Sequence, residues 1–250
     1  NESLFTDQQA ADSTRQLLIQ EADAYEALQN TSYAFLPDDI AYDRHADILY
    51  LTAHLPEDGW HWDLPTNPTH QQHYIRDVLQ ALNSLETVPA SAITSSGRQP
   101  SLDEVYQNGW HLLNDYRMRQ KSIDRLELFR PQFHDHVQPG VDRLIEFLGS
   151  DLFDQAHELV HLHVAKERPV VAHFDARQSN IAWHPDHGAK LVDWSWASPA
   201  PYGTDRTMFI IDIFKTGYDV TDLVPYHLEP GHALLQMGHW LSRGSRPSAP

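Results

Sequence analysis

His173-Phe174-Asp175-Ala176-Arg177-Gln178-Ser179-Asn180, followed further along by Asp193-Trp194, is the stretch on which the reading of this 250-residue chain turns. Each part follows a short apolar run, Pro169-Val170-Val171-Ala172 before the first and Ala189-Lys190-Leu191-Val192 before the second. Both runs read as short strands that present a polar loop. An Asp and an Asn five positions apart on one loop, facing a second Asp from a neighbouring strand, form a set suited to phosphoryl transfer. That chemistry needs a carboxylate aimed at the acceptor hydroxyl and oxygen ligands for Mg²⁺ on the nucleotide phosphates.

Outward from this stretch, the N-terminal side alternates helix and strand. Residues 1–12 are polar and read as a loop or frayed start. Leu18, Ala22, Tyr25 and Leu28 then fall on one face, which predicts a helix over 13–29 capped by Asp12 or Ser13. Ile40-Ala41-Tyr42 and Ile48-Leu49-Tyr50-Leu51-Thr52 read as the two strands of a hairpin, with Asp43–Asp47 as a turn without glycine. Pro56 to Pro68, rich in Pro, Gly, Asp and Trp, is the expected domain boundary. Beyond it the chain reads as mainly helical, with amphipathic stretches at 73–85, 141–148, 152–163, 207–214 and 231–241.

His173-x-Asp175-x-x-x-x-Asn180, then Asp193, resembles the catalytic loop and metal-binding segment of the protein-kinase-like small-molecule phosphotransferases, the family of aminoglycoside phosphotransferases and choline kinases. That family uses Asp-Trp or Asp-Phe where many protein kinases use Asp-Phe-Gly. The order of elements agrees over most of the chain. Helix 13–29, with Gln20-Glu21-Ala22, looks like the regulatory-position helix of the small lobe; strand 48–55 looks like the strand into the hinge, and helix 73–85 like the first long helix of the large lobe.

The resemblance implies a protein-kinase-like α+β fold, with 1–55 a partial small lobe and 56–250 the helical catalytic lobe. It implies transfer of the γ-phosphate of ATP or GTP to a hydroxyl of a small molecule. Asp175 would be the base and Arg177 would neutralise developing charge. Asn180 and Asp193 would bind Mg²⁺, Glu21 would face the nucleotide, and Thr52, Ala53, His54 and Leu55 would offer backbone groups to adenine. His173 would brace the loop.

Two features depart from the family pattern. No Gly precedes Gly59 and no Lys precedes Lys121, so Glu21 lacks the strand Lys with which the family pairs it. The chain opens on Asn1 rather than Met, and an upstream segment carrying that Lys is expected. Without one, the alternative is a nucleotide-binding pseudokinase module.

His157-Glu158-Leu159-Val160-His161 matches H-E-x-x-H, which on a helix puts two His on one face for Zn²⁺ with the Glu as base. A zinc metallopeptidase is therefore a further alternative. Its third ligand would have to be Glu167 or, at a poor angle, His163.

Composition narrows the partners. The formal net charge is −17, a surface that serves solubility, should repel nucleic acid and anionic membranes, and would tolerate a cationic acceptor. Asp205, Asp219 and Asp222 are the acids expected either to face such an acceptor or to serve as caps. There is no cysteine, which excludes disulfides and thiolate metal sites. No apolar run approaches the roughly 18–20 residues of a membrane span, and no leader pattern opens the chain. A cytoplasmic location is the expectation.

Overall fold

The structure is a computed structural model that describes residues 2–29, 33–93, 101–132, 135 and 138–244. It is a mixed α and β protein in which helices dominate. In chain order the elements are α1 (Glu2–Gln29), β1 (Ile40–Asp43), β2 (Ile48–Leu51), α2 (Pro68–Leu85), α3 (Ser101–Asn108), α4 (Trp110–Leu113) and α5 (Tyr116–Phe129). There follow α6 (Gln138–Leu148), α7 (Asp151–Val164), β3 (Val170–Ala172), β4 (Ile181–His184), β5 (Gly188–Leu191) and β6 (Ser198–Ala200). The last three are α8 (Thr204–Lys215), α9 (Val224–His227) and α10 (Pro230–Gly244).

The chain divides into two compact units, residues 1–101 with 167–228, and residues 102–166 with 229–250. The proline-rich stretch after residue 55 lies inside the first unit.

The first unit holds three two-stranded antiparallel sheets, β1 with β2, β3 with β6, and β4 with β5. In the hairpin Ile40 pairs with Leu51 and Asp43 with Ile48. Its turn closes without glycine because Asp47 takes the left-handed conformation, φ 54°, which Asp tolerates better than most residues. Asp43 caps the same turn, accepting the His45 and Ala46 amides. A single bridge joins His61 to Trp183.

α2 starts where Asn67 accepts the Thr69 and His70 amides, with Pro68 in the first turn, a start that needs no amide from the proline. Its apolar stripe, Tyr74, Val78, Leu82 and Leu85, is fully buried. It packs in one core with Tyr25 and Leu28 of α1, Ile181 and Trp183 of β4, Leu191 of β5 and Phe209 of α8.

The second unit is helical. Trp110 of α4 is fully buried and stacks on Phe153 of α7 at 4.9 Å, while its indole N–H donates to the Leu234 carbonyl of α10. At Gly238 any side chain would collide with the Trp110 ring. α7 carries Asp151 and Asp154 in its first turn, where carboxylates suit the helix dipole.

The structure corrects the sequence reading in three places. Residues 2–12, expected as a loop, belong to α1; they contain neither Gly nor Pro, so nothing local stops the helix before Glu2. Strands β4 and β6 were not expected. The first hides directly behind Asn180, and the second contains Pro199, a residue that argues against a strand except at an edge. Helices α3 to α5 also escaped the reading. In α5 only Ser122 is buried, so there is no apolar stripe to find, although Asp115 caps the helix by accepting the Arg117 and Met118 amides.

Candidate active site

The site lies wholly within the first unit and is built by two loops. The first leaves β3 and runs from His173 to Asn180. The second leaves β5 and carries Asp193. They are joined by backbone, the Val192 amide donating to the Asn180 carbonyl at 3.0 Å. Both loops turn through non-glycine residues in the left-handed region, Phe174 and Asp193, each at φ 63°, a conformation that costs roughly 1–2 kcal/mol per residue. It persists because the neighbouring groups are held from several sides.

His173 supplies one such hold. Its ring is fully buried, and its Nε2 lies 2.8 Å from the Val192 carbonyl, which can only accept. The proton therefore sits on Nε2, leaving Nδ1 to accept the Asp175 amide at 3.3 Å. Burial pushes the His173 pKa down, which keeps the ring neutral in this role. Trp194 packs edge-on against it at 4.7 Å and is itself buried.

Asp205, on α8, holds the loop from below. Its two carboxylate oxygens accept the backbone amides of His173 at 2.7 Å and Phe174 at 2.9 Å. Burial raises its pKa to about 7, and those two amides pull it back. A residue 3 % exposed and spent on backbone amides cannot face an acceptor, so the expectation of Asp205 as an acceptor-facing acid is corrected. Asp219 is exposed and takes up the Thr221 amide and hydroxyl, a capping role. Asp222 is exposed as well.

The expected groups come together around Asp175. Asn180 Nδ2 donates to the Asp175 carboxylate at 2.9 Å and to its carbonyl at 3.0 Å. Arg177 reaches the same carboxylate oxygen, Oδ2, at 2.9 Å. Asp193 accepts the Ser195 hydroxyl at 2.7 Å. Glu21 joins from α1. Burial raises its pKa to about 7 and the Asp193 charge adds to that, while the Trp194 and Asp193 amides oppose it. Among the described residues Glu21 makes no ion pair.

Thr52, Ala53, His54 and Leu55 have their partners elsewhere. The Thr52 amide donates to the Asp39 carbonyl, and its hydroxyl accepts the Asp39 amide at 2.8 Å. His54 is buried against Trp60, and its carbonyl accepts the Trp62 indole N–H. The Leu55 carbonyl accepts the Asp58 and Trp60 amides. Ala53 is exposed. Of the four, only Thr52 lines the cavity of ≈ 870 Å³ beside β2, which Tyr33, Tyr50 and Lys190 also wall.

No protein-family model and no curated protein sequence matches this chain. The geometry of these loops therefore carries the functional argument.

In the second unit, the His157 and His161 rings stack 6.4 Å apart on α7. His157 leans on Phe153 and Trp110, and Tyr106 reaches His161 at 3.4 Å. His163 turns away into the interior, 3.3 Å from His232, and Glu167 and Glu158 are exposed. Among the described residues no three His, Asp or Glu side chains are grouped to hold a metal ion.

Sequence reasoning passed over Gln178 and Asp212 as parts of the site, and gave Asp205 only as a cap or an acceptor-facing acid. The available signal was the spacing of the two acids. Positions 205 and 212 are seven apart, on one face of a helix.

Proposed function

We propose that this chain carries the catalytic part of a phosphotransferase of the aminoglycoside phosphotransferase and choline kinase type, with a protein-kinase-like fold, moving the γ-phosphate of ATP or GTP to a hydroxyl of a small molecule. One observation carries the reading. The side-chain amide of Asn180 is spent on Asp175, which turns its oxygen away from that carboxylate, and the backbone bond from Val192 to Asn180 brings the Asp193 loop alongside.

The donor set fits Mg²⁺. The Asn180 amide oxygen and the Asp193 carboxylate are hard oxygen donors, and two protein ligands suffice for an ion that completes its shell with water and phosphate oxygens. Bound there with the nucleotide, Mg²⁺ would neutralise charge on the phosphates. Asp175, with Oδ2 fixed by Asn180 and Arg177, would orient the acceptor hydroxyl through its other oxygen and take its proton as the new O–P bond forms and the bond from the γ-phosphorus to the β,γ-bridging oxygen breaks, the nucleoside diphosphate leaving. Arg177, half-exposed beside it, would offset charge on the transferred group. The net charge of −17 favours an acceptor that carries positive charge.

Glu21 favours a second reading. A half-buried carboxyl beside Asp193 with no cation paired to it among the described residues also suits a module that binds nucleotide without transferring phosphate.

Calorimetric titration of ATP with and without Mg²⁺ into the full chain, beside Asp193→Asn, tests both. The expected result is metal-dependent binding that the substitution weakens. Absence of binding by ATP and by GTP would overturn both readings, and binding without phosphate release or transfer would leave the second.

A further inference from the structure

Gln178 sits inside the candidate catalytic loop, between Asp175 and Asn180, yet points away from the chemistry. It is 7 % exposed. Its backbone amide and its side-chain Nε2 both donate to Asp212 Oδ2, at 2.9 and 3.1 Å. Its Oε1 accepts the Leu64 amide at 2.7 Å. Lys215 holds the other Asp212 oxygen at 3.0 Å, so the anchor is itself fixed. The segment carrying Leu64 is pinned a second time where His61 and Trp183 exchange two backbone bonds, at 2.8 and 2.9 Å.

We propose that Gln178 and Asp212 are positioning residues, which lock the loop that carries Asp175 and Asn180 to α8 and to the His61–Leu64 segment. The proposal rests on the phosphotransfer reading above. A carboxamide suits this position because it donates to a carboxylate and accepts from an amide at once. Neither Ala nor an ionised Glu can do both. Since Asp175 and Asn180 lie within three residues of Gln178 on one loop, freeing it displaces the groups that must meet the acceptor and the nucleotide.

The test uses the full chain as wild type, Gln178→Ala, Asp212→Ala and Gln178→Glu. It measures Mg²⁺–ATP turnover with water as acceptor, and hydrogen exchange of residues 173–181. We expect kcat to fall on the order of tenfold to a hundredfold in both Ala variants, the scale of a misplaced catalytic group. The fall in kcat should exceed any rise in the KM for ATP, as for an interaction that matters most in the transition state. Exchange in 173–181 should quicken. Gln178→Glu, which can still accept from Leu64 but sets a second carboxylate against Asp212, should be impaired as the Ala variants are.

An active wild type with unchanged kcat in the Ala variants would overturn the positioning role alone. So would a Gln178→Glu variant with the kcat of wild type. A folded wild type with no turnover on ATP or GTP would instead remove the phosphotransfer reading, and the positioning role with it, even where exchange still responds.

Discussion

Asn180 grips Asp175 at two points, donating through Nδ2 to the carboxylate at 2.9 Å and to the backbone carbonyl at 3.0 Å. The grip is both structural and chemical, and substitution separates the two. Asn180→Ala loses the hydrogen bonds and should cost about 1–2 kcal/mol in urea unfolding. Asn180→Asp keeps the oxygen but sets a second carboxylate against Asp175, and at pH 7 it should cost more than the Ala variant. Equal or greater stability of Asn180→Asp at pH 7 would mean that the amide does not hold Asp175.

Glu21 gives a pH-dependent prediction. Its folded pKa is raised to about 7 by burial and by Asp193, whereas an unfolded Glu titrates near 4.3. The folded state therefore holds the proton more tightly between those values. The stability this gives is fully present below about pH 4 and is lost as the pH rises through 7. Glu21→Gln, which cannot ionise, should raise the melting temperature at pH 8 relative to wild type and change it little at pH 5. Melts in EDTA at the two pH values check this, and an equal shift at both would rule out the titration as cause.

Glu86 and Arg206 form a two-pronged pair in the first unit, Nε to Oε1 and Nη2 to Oε2, both at 3.0 Å, and the Gly203 amide adds a third bond to Oε1. Both side chains are largely buried. Removing one partner leaves an uncompensated charge, so Glu86→Ala or Arg206→Met should each destabilise by about 3–5 kcal/mol. The double variant should lose clearly less than the sum. A denaturation cycle measures this, and strict additivity would show that the pair does not act as a unit.

In the second unit, burial pushes the His232 pKa down to about 3, and the neighbouring His163 adds to the shift. Unfolded His titrates near 6.5, so the unfolded chain binds more protons in between. Stability is full above about pH 6.5 and is lost as the pH falls towards 3. His232→Gln should start less stable at pH 7 but lose less on acidification to pH 4. Neutral, buried His173 adds to the acid loss in both proteins alike. Parallel pH profiles of the two proteins would count against His232.

The sequence yielded the parts of the fold that obey a period. The stripes of α1 and α2 and the alternation of the hairpin are written in residue spacing. Asp175, Asn180 and Asp193 stood out because phosphoryl transfer, the chemistry proposed for them, calls for those side chains at that spacing. Gln178 and Asp212 did not, and Asp205 was legible only as a cap or an acceptor-facing acid, because their work is to satisfy backbone amides that only the folded loop brings near them. A carboxylate within an apolar helix looks, in one dimension, like any solvent-facing acid. β6 was hidden by its proline, and α5 by having almost nothing to bury.

The chain passes between its two units at 101/102, at 166/167 and at 228/229. Synthesis therefore finishes α7 long before it delivers the partner that completes its interior. Gly231 and His232 of α10, against which His163 rests, come only after the whole first unit has been made. A nascent chain stalled near Leu228 would hold every residue of the candidate active site, and its α7 would still lack α10. Premature termination there would release a protein that carries both candidate-site loops and a helical unit left half assembled, a target for quality-control proteases.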